Sequence, residues 1–199
     1  IILSTGMGDS EEIDNAVKTI EDAGNSKICI LHCISIYPCE TETINLNNII
    51  GLNEKFPDLL VGYSDHSIGT EMASASIALG ACVIEKHFTL DKTKIGMDNQ
   101  MASEPDEMAE LVNNCHNVKI ALGSKKRKVL ADELEQRKNM RRSLIFNKDL
   151  KAGSIISCND IDAKRPGTGI PPEKINDLVG KTLKNDVMGD TLIKKSDIH

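Results

Sequence analysis

Short apolar runs alternate with helix-like segments along the first 123 residues. Four runs have the length and composition of buried strands, and each ends in polar or charged residues. These predicted strands are residues 1–4, 28–33, 59–64 and 82–88. Because a helical pattern follows each strand, the segment predicts a series of parallel βα units.

The helical patterns differ in strength. The first begins with a start signature at Asp9–Glu12, and Ile13, Val17 and Ile20 follow at helical spacing. Weaker patterns cover residues 46–56 and 69–79. In the last, Ser103 and Asp106 are predicted to form a capping box, and the apolar stripe that follows stops at Gly123.

Four βα units are too few for an eight-stranded barrel. On pattern alone, a doubly wound open sheet is therefore the alternative to half of a barrel.

The remainder of the chain differs in composition and in its pattern of apolar residues. Residues 124–142 are highly charged and predict a solvated linker or helix face. Beyond them lie short apolar runs, glycines and prolines, with a weak repeat that relates residues 149–161 to residues 186–198. The pattern predicts a small, pseudo-symmetric β-rich domain at residues 143–199, after a barrel segment at residues 1–123 and a charged linker at 124–142.

Composition excludes several classes of protein. A length of 199 residues suits one or two domains, and a net charge of −6 argues against nucleic-acid binding. No apolar run is long enough to span a membrane, and no signal peptide is predicted. The six cysteines lack paired metal-ligand spacing, so buried free thiols in a reducing cytoplasm are favoured over a disulfide framework. Because the chain begins at Ile1 on a strand-like run, we expect a preceding segment.

The third and fourth predicted strands end in residues suited to chemistry. Strand alternation places Ser64 with His66 on one face, and Glu85 with His87 on one face. If both faces point into a barrel, two imidazoles and a carboxylate meet at the rim where such barrels place their active sites. Two neutral imidazoles with open positions suit a catalytic divalent metal. Two unrelated histidines that end two strands are the alternative.

The first two strands supply hydroxyl groups at matching places. Ser4 ends the first run and Ser35 follows the second. Hydroxyls and backbone N–H groups in such loops are suitable partners for a phosphate group.

Taken in order, the motifs of this chain resemble those of the sialic acid synthase family, which makes N-acetylneuraminate and related nonulosonates. The matching stretches are residues 3–7 (LSTGM), 31–33 (LHC), 36–38 (IYP), 62–66 (GYSDH), 85–92 (EKHFTLDK) and 104–106 (EPD). The tail, with residues 164–167 (KRPG) and 169–170 (GI), resembles the family's antifreeze-like SAF domain.

The resemblance implies an α/β fold: the C-terminal half of a TIM (β/α)8 barrel followed by a small β-rich SAF (β-clip) domain. It also implies a metal-dependent condensation of phosphoenolpyruvate with N-acetylmannosamine or a related N-acylated amino sugar, with release of phosphate. The implied metal is Mn²⁺ or Mg²⁺.

Residue roles follow from the same resemblance. His66 and His87 correspond to the metal ligands, and Glu85 and Asp98 correspond to catalytic positions near the sugar. Substrate-binding positions correspond to Ser4, Ser35, Tyr37, Ser64 and Arg165. The family's counterpart of Arg165 extends over the active site of the other subunit, which implies a domain-swapped homodimer.

Two departures from the family pattern limit this correspondence. Asn99 stands where many members have a sugar-side histidine, which leaves the acceptor sugar open. The family's first half-barrel, with its acidic general base and phosphate-binding lysines, has no counterpart in these 199 residues. We therefore expect the isolated chain to be inactive without an N-terminal half. The alternatives are a non-catalytic fragment that binds sugar or mediates dimerisation, and an unrelated metal-dependent aldolase, against which the SAF-like tail argues.

Overall fold

A parallel sheet organises the first of the two units into which the chain divides, Ile1–Lys125 and Lys126–His199. The computed structural model describes all residues, 1–199. The sheet contains β1 (Ile2–Ser4), β2 (Cys29–Cys33), β3 (Leu60–Asp65) and β4 (Ile84–Lys86). Its helices are α1 (Ser10–Asp22), α2 (Asn47–Lys55), α3 (Glu71–Ala78) and α4 (Pro105–Leu122), and a 3-10 turn covers Thr41–Thr43.

Strand order decides between the two predicted architectures. The strands pair in the order β1-β2-β3-β4, the same order as in the chain. Because parallel crossovers are right-handed, a sequential order places successive helices on one face of the sheet, as in a barrel. A doubly wound sheet requires the order to reverse. The prediction of a half-barrel is confirmed, and the open-sheet alternative is wrong.

Two apolar clusters fill the space between the sheet and its helices. One contains Val17 of α1 with Ile28 and Ile30, and the other joins Ile49 of α2 to Val61 on β3. Ile30 and Ile49 have no solvent exposure. The opposite face of the sheet is less completely covered: Cys29 and Leu31 are buried there, but apolar side chains of the flanking strands are exposed.

Strand register identifies that open face. Ile2 and Leu60 are the register partners of Cys29 on its two sides, so the three side chains share a face. Ile2 is 63% exposed and Leu60 is 60% exposed. Apolar side chains thus line the side of the sheet that would form the interior of a barrel.

Local sequence sets the helix starts, with one correction. Asp9 caps α1: its Oδ1 accepts the N–H groups of Glu11 and Glu12, and Glu12 Oε2 accepts that of Asp9, each at 2.9 Å. For α4, the predicted cap by Ser103 and Asp106 is wrong.

The true start of α4 lies one residue later. The Glu107 carboxylate accepts the Glu104 N–H at 2.9 Å, and Pro105 is the first helical residue. Ser103 instead pairs with the segment that follows β4, donating its N–H to the His87 carbonyl at 2.8 Å and accepting the Thr89 N–H at 3.0 Å.

The second unit is a small antiparallel β structure preceded by a helix. It contains α5 (Ala131–Met140), β5 (Ser143–Phe146), β6 (Ile161–Lys164) and β7 (Thr191–Leu192), with the strand order β6-β5-β7. Short 3-10 helices cover Cys158–Asp160, Pro172–Asp177 and Lys195–Asp197. The charged stretch 124–142 therefore includes α5, none of whose side chains is buried.

The sequence repeat has a structural counterpart in this unit. Leu150 and Val187, at equivalent positions of the two copies, exchange backbone hydrogen bonds of 3.0 and 2.9 Å. The aspartates that begin the copies act reciprocally: Asp149 accepts the Gly189 N–H at 2.7 Å, and Asp186 accepts the Ala152 N–H at 2.9 Å. The two copies are thus related by an approximate two-fold axis.

The six cysteines are free; Cys29, Cys33 and Cys39 are buried, whereas Cys82 and Cys158 are exposed, contrary to the expectation of burial. None of the helices combines the length and apolar character needed to cross a membrane.

The contacts of the Asp160 carboxylate make the stability of the second unit depend on pH. Its carboxylate lies 2.7 Å from the Lys148 ammonium and accepts the N–H and hydroxyl of Ser157 at 2.8 and 2.6 Å. Lys148 first and then Ser157 lower the pKa of Asp160 to about 2. Because this pKa lies below that of the unfolded chain, the carboxylate stabilises the fold above about pH 4, and the contribution is lost as the pH falls towards about 2.

We therefore expect Asp160→Asn to lower the free energy of unfolding at neutral pH and to have little effect near pH 2. Urea denaturation of both proteins across this range measures the difference. Glu173→Gln, at an exposed position of the same unit, is the control. A difference that does not change with pH would contradict the assignment.

Candidate active site

Two histidines meet where β3 and β4 end. Ser64 and Glu85 are register partners on these adjacent strands, and His66 and His87 lie two residues further along each chain segment. The centroids of the two imidazole rings are 5.2 Å apart, with an angle of 39° between the ring planes. The two rings are therefore neighbours at this edge of the sheet.

A backbone carbonyl orients the ring of His66. His66 Nδ1 lies 2.8 Å from the oxygen of Ile34, which can only accept a hydrogen bond. In the neutral ring this contact assigns the proton to Nδ1 and leaves the lone pair on Nε2. Cys33 Sγ, at 3.9 Å from Nδ1, completes the surroundings of this buried ring.

A hydroxyl and a carboxylate lie directly below the histidine pair. Ser64 Oγ donates to Glu85 Oε1 at 2.7 Å. Ser64 is buried, whereas Glu85 is exposed on the same face of the sheet. Glu85 thus has one oxygen held by the protein, and its exposed carboxylate can receive a polar ligand.

Tyr37 lies beside both imidazoles. Its ring centroid is 4.3 Å from that of His66 and 5.8 Å from that of His87. The segment is tied to the rim because Cys39 donates its N–H to the His66 carbonyl at 2.9 Å. Since Tyr37 is half-exposed, its ring forms a wall of the site that a ligand can touch.

The first two strand ends bring further hydroxyls to the rim. Ser4 ends β1, and its Oγ accepts the Gly6 N–H at 3.3 Å. Ser35 Oγ lies 3.7 Å from Cys33 Sγ, and it is also the atom closest to the position that a side chain on Gly6 would occupy. The loops after β1 and β2 therefore pack against each other at Gly6.

Asp98 and Asn99 occupy the loop between β4 and α4. Asp98 is partly buried, and its carbonyl accepts the Met101 N–H at 3.3 Å. Asn99 Nδ2 donates to the carbonyls of Lys94 and Asp91, at 3.1 and 3.4 Å. No hydrogen bond or ion pair joins the side chain of either residue to the two histidines.

Arg165 belongs to the second unit. It is exposed, and its Nε donates to the Met140 carbonyl at 3.1 Å. Both terminal nitrogens of the guanidinium remain available for an anionic group.

His32 takes no part in this rim, although it lies in residues 31–33 (LHC), one of the stretches that resemble the family. Its side chain lies on the helix-facing side of β2, where Nε2 is 2.7 Å from the Ile44 carbonyl and the ring stacks on Tyr63 at 5.7 Å. Burial lowers the pKa of His32, which favours the neutral ring. Cys33 contacts both His66 and Ser35, a role that its position in the sequence did not indicate.

The two histidines fit a catalytic metal better than a structural one. Across residues 1–199, no three histidine, cysteine or acidic side chains are grouped so as to hold an ion. Two imidazoles would leave most positions of a divalent ion to substrate and water, which is the open arrangement typical of catalytic sites. The carbonyl that fixes the His66 tautomer is a common partner of metal-binding histidines.

Comparison with known proteins agrees with this architecture. The model of the NeuB family matches residues 1–127, and that of the SAF domain matches residues 141–199. The chain belongs to the NeuB family. Its members include synthases of sialic, legionaminic and pseudaminic acids, so the resemblance seen in the sequence motifs is confirmed.

Two relatives illustrate the relationship. The chain is 39% identical to N,N'-diacetyllegionaminic acid synthase of Legionella pneumophila over 97% of its own length, and covers 55% of that protein. It is 34% identical to human N-acetylneuraminate-9-phosphate synthase over 97% of its length, and covers 54% of that protein. The chain thus spans just over half the length of these relatives.

A solved structure gives the same result. The crystal structure of N-acetylneuraminic acid synthetase from Leptospira borgpetersenii, in complex with citrate, is 38% identical and superposes with a TM-score of 0.62. The match covers 68% of this chain and 47% of that one.

Gly62 lies where the strands that carry the site approach each other closely. A Cβ at Gly62 would lie 2.5 Å from the Val83 carbonyl oxygen and from a methyl group of Leu31. The same carbonyl accepts the Tyr63 N–H at 2.9 Å, so it cannot retreat without loss of that bond. We expect Gly62→Ala to lower the free energy of unfolding by about 1–3 kcal/mol through overpacking.

Gly51→Ala is the matched control, because nothing lies within 4 Å of a Cβ at this position of α2. An alanine there should stabilise the helix by about 0.5–1 kcal/mol. Urea denaturation of the two variants should give effects of opposite sign; equal stability of Gly62→Ala and the parent chain would show that β3 and β4 tolerate separation.

Proposed function

We propose that this chain carries the metal-binding rim of a nonulosonic acid synthase, which condenses phosphoenolpyruvate with an N-acylated amino sugar and releases phosphate. The observation that carries the proposal is the convergence of His66 and His87 above the Ser64–Glu85 hydrogen bond, in a half-barrel of the NeuB family. Family membership alone would be weaker support, because a fold can lose its chemistry when its site residues change.

His66 and His87 would hold Mn²⁺ or Mg²⁺, with Nε2 as the ligand atom of His66. The bound ion would supply a Lewis acid for the charge that develops on the sugar's aldehyde oxygen. Both ligands are neutral, so they would leave the ion most of its positive charge. Ser64 supports this arrangement from below by holding Glu85 in place.

In the proposed reaction, C3 of phosphoenolpyruvate forms a bond to C1 of the open-chain sugar. Water adds at C2 of the former enolpyruvate, and the C–O bond to phosphate is lost as phosphate leaves. The hydroxyls of Ser4, Ser35 and Ser64 would hold phosphoenolpyruvate, since they come from three successive strand ends. A barrel rim is suited to such binding because its loops converge.

Glu85 and Asp98 would act on the sugar side of the reaction. Glu85 is the better supported of the two, since its carboxylate is exposed directly below the histidine pair. Tyr37 would contact the sugar with its exposed ring. Asn99 stands where many members have a sugar-side histidine, so the proposed acceptor is N-acetylmannosamine or a related N-acylated amino sugar.

The SAF domain would act across a domain-swapped homodimer. Arg165 would bind a substrate in the active site of the other subunit, with a guanidinium anchored through Nε and otherwise available for anions. By the family's pattern, the acidic general base and phosphate-binding lysines are supplied by a first half-barrel. We therefore propose that residues 1–199 alone bind metal but do not catalyse the condensation.

The metal assignment can be tested by substitution. His66→Ala and His87→Ala should each weaken Mn²⁺ binding to the 199-residue chain by more than about tenfold. Loss of a residue that only supports a metal ligand already costs about tenfold, and these variants lose a ligand itself. The spectrum of free Mn²⁺, measured by electron paramagnetic resonance, gives the affinity. In an enzyme completed with its N-terminal half, either change should abolish turnover.

His116→Ala is the control, because His116 is exposed on α4 and lies outside the rim. Mn²⁺ affinity that is equal in all four proteins, or near-normal turnover of the two rim variants at saturating metal, would refute the assignment.

A further inference from the structure

A second row of polar side chains lies behind the rim, on the helix-facing side of the sheet. Asp65 and Lys86 are register partners on β3 and β4, and Lys86 Nζ lies 2.7 Å from Asp65 Oδ2. The side chains are 0% and 2% exposed, respectively. Such complete burial distinguishes this ion pair from the others in the chain, each of which has at least one exposed partner.

Every polar atom of the pair is bonded in a way that joins three segments. Asp65 Oδ1 accepts the Tyr63 hydroxyl at 3.1 Å, and also the N–H and hydroxyl of Ser67 at 2.8 and 2.7 Å. Lys86 Nζ donates in addition to the Ser67 carbonyl at 2.7 Å. The Asp65 network (Tyr63, Asp65, Ser67 and Lys86) therefore fastens β3, the loop after it and β4 together.

The network stands immediately before the two histidines in both strands. Asp65 precedes His66 and Lys86 precedes His87, and alternation sends each neighbour to the opposite face. A slip of β4 by one residue would exchange the two faces, so that Lys86 would enter the rim and His87 would leave it. Charge pairing with Asp65 makes such a slip unfavourable, because the slipped strand would leave a buried carboxylate without its partner.

We propose that the Asp65 network is a positioning device that fixes the separation of His66 and His87. Tyr63, Asp65, Ser67 and Lys86 are positioning residues, because they contact neither imidazole through a hydrogen bond and act through the strand register. The inference rests on the proposed function where metal binding is concerned, but the position of the rings is a property of the protein without metal.

A purely stabilising role predicts a different outcome. Replacing a buried ion pair with neutral groups of similar size often leaves stability unchanged, whereas removing one partner is strongly destabilising. If the network only stabilised the fold, removing both charges would restore stability and leave the site intact. If the network fixes the register of the strand ends, removing both charges would restore stability without restoring the site.

The experiment compares Lys86→Met with the double variant Asp65→Asn/Lys86→Met in the 199-residue chain. Two measurements are made: the nuclear Overhauser effect between ring protons of His66 and His87 without metal, and Mn²⁺ affinity. Lys55→Met is the control, because it breaks a surface ion pair with Asp14 in the same unit.

We expect the double variant to resist urea better than Lys86→Met, yet to lose the ring-to-ring effect and to bind Mn²⁺ about tenfold more weakly. Lys55→Met should keep both properties. If Lys86→Met does not fold, the double variant decides the question by itself. A double variant that keeps the ring-to-ring effect of the parent chain overturns the proposal.

The two proposals fail separately. A parent chain that shows the ring-to-ring effect but binds no Mn²⁺ refutes the metal site, and loss of the effect in the double variant would still support positioning. A parent chain without the effect shows that the rings are not held together, which overturns the positioning role.

Discussion

The parallel register between β3 and β4 is the constraint on which the rest of the site depends. It pairs Ser64 with Glu85 and Asp65 with Lys86, so a single alignment determines which side chains face the rim. Gly62 permits this alignment, because only a residue without a side chain lets the Val83 carbonyl approach β3 so closely. The two histidines meet as a consequence of this pairing.

The sheet separates two kinds of electrostatic environment at the same height. On the helix-facing side, Asp65 is fully buried. Its charge is balanced by Lys86 and its oxygens accept two hydroxyl groups, so it is not available to a ligand. On the other side, Glu85 shares one hydrogen bond with Ser64 and is otherwise exposed. Two carboxylates on adjacent strands thus serve different purposes, because burial with a partner immobilises one and exposure leaves the other available for a ligand.

The two copies of the repeat both contribute to the core of the second unit. Ile156 and Ile193, at equivalent positions of the repeat, are both buried in its apolar core. Reciprocal hydrogen bonds from the two copies close the turns around this core. In each copy, the first aspartate satisfies a backbone N–H group in a turn of the other copy. This unit carries the exposed Arg165.

Local patterns in the sequence were sufficient for the βα order, the start of α1 at Asp9 and the alternation that put His66 on the face of Ser64 and His87 on the face of Glu85. These features depend on residues close together in the chain. The tertiary structure decided the rest. It moved the start of α4 past Ser103, whose backbone is engaged by His87 and Thr89, and it gave Lys86 a buried partner across the sheet. A hydrogen bond between distant segments depends on which strands become neighbours and in what register. A local pattern of polar and apolar residues does not specify either.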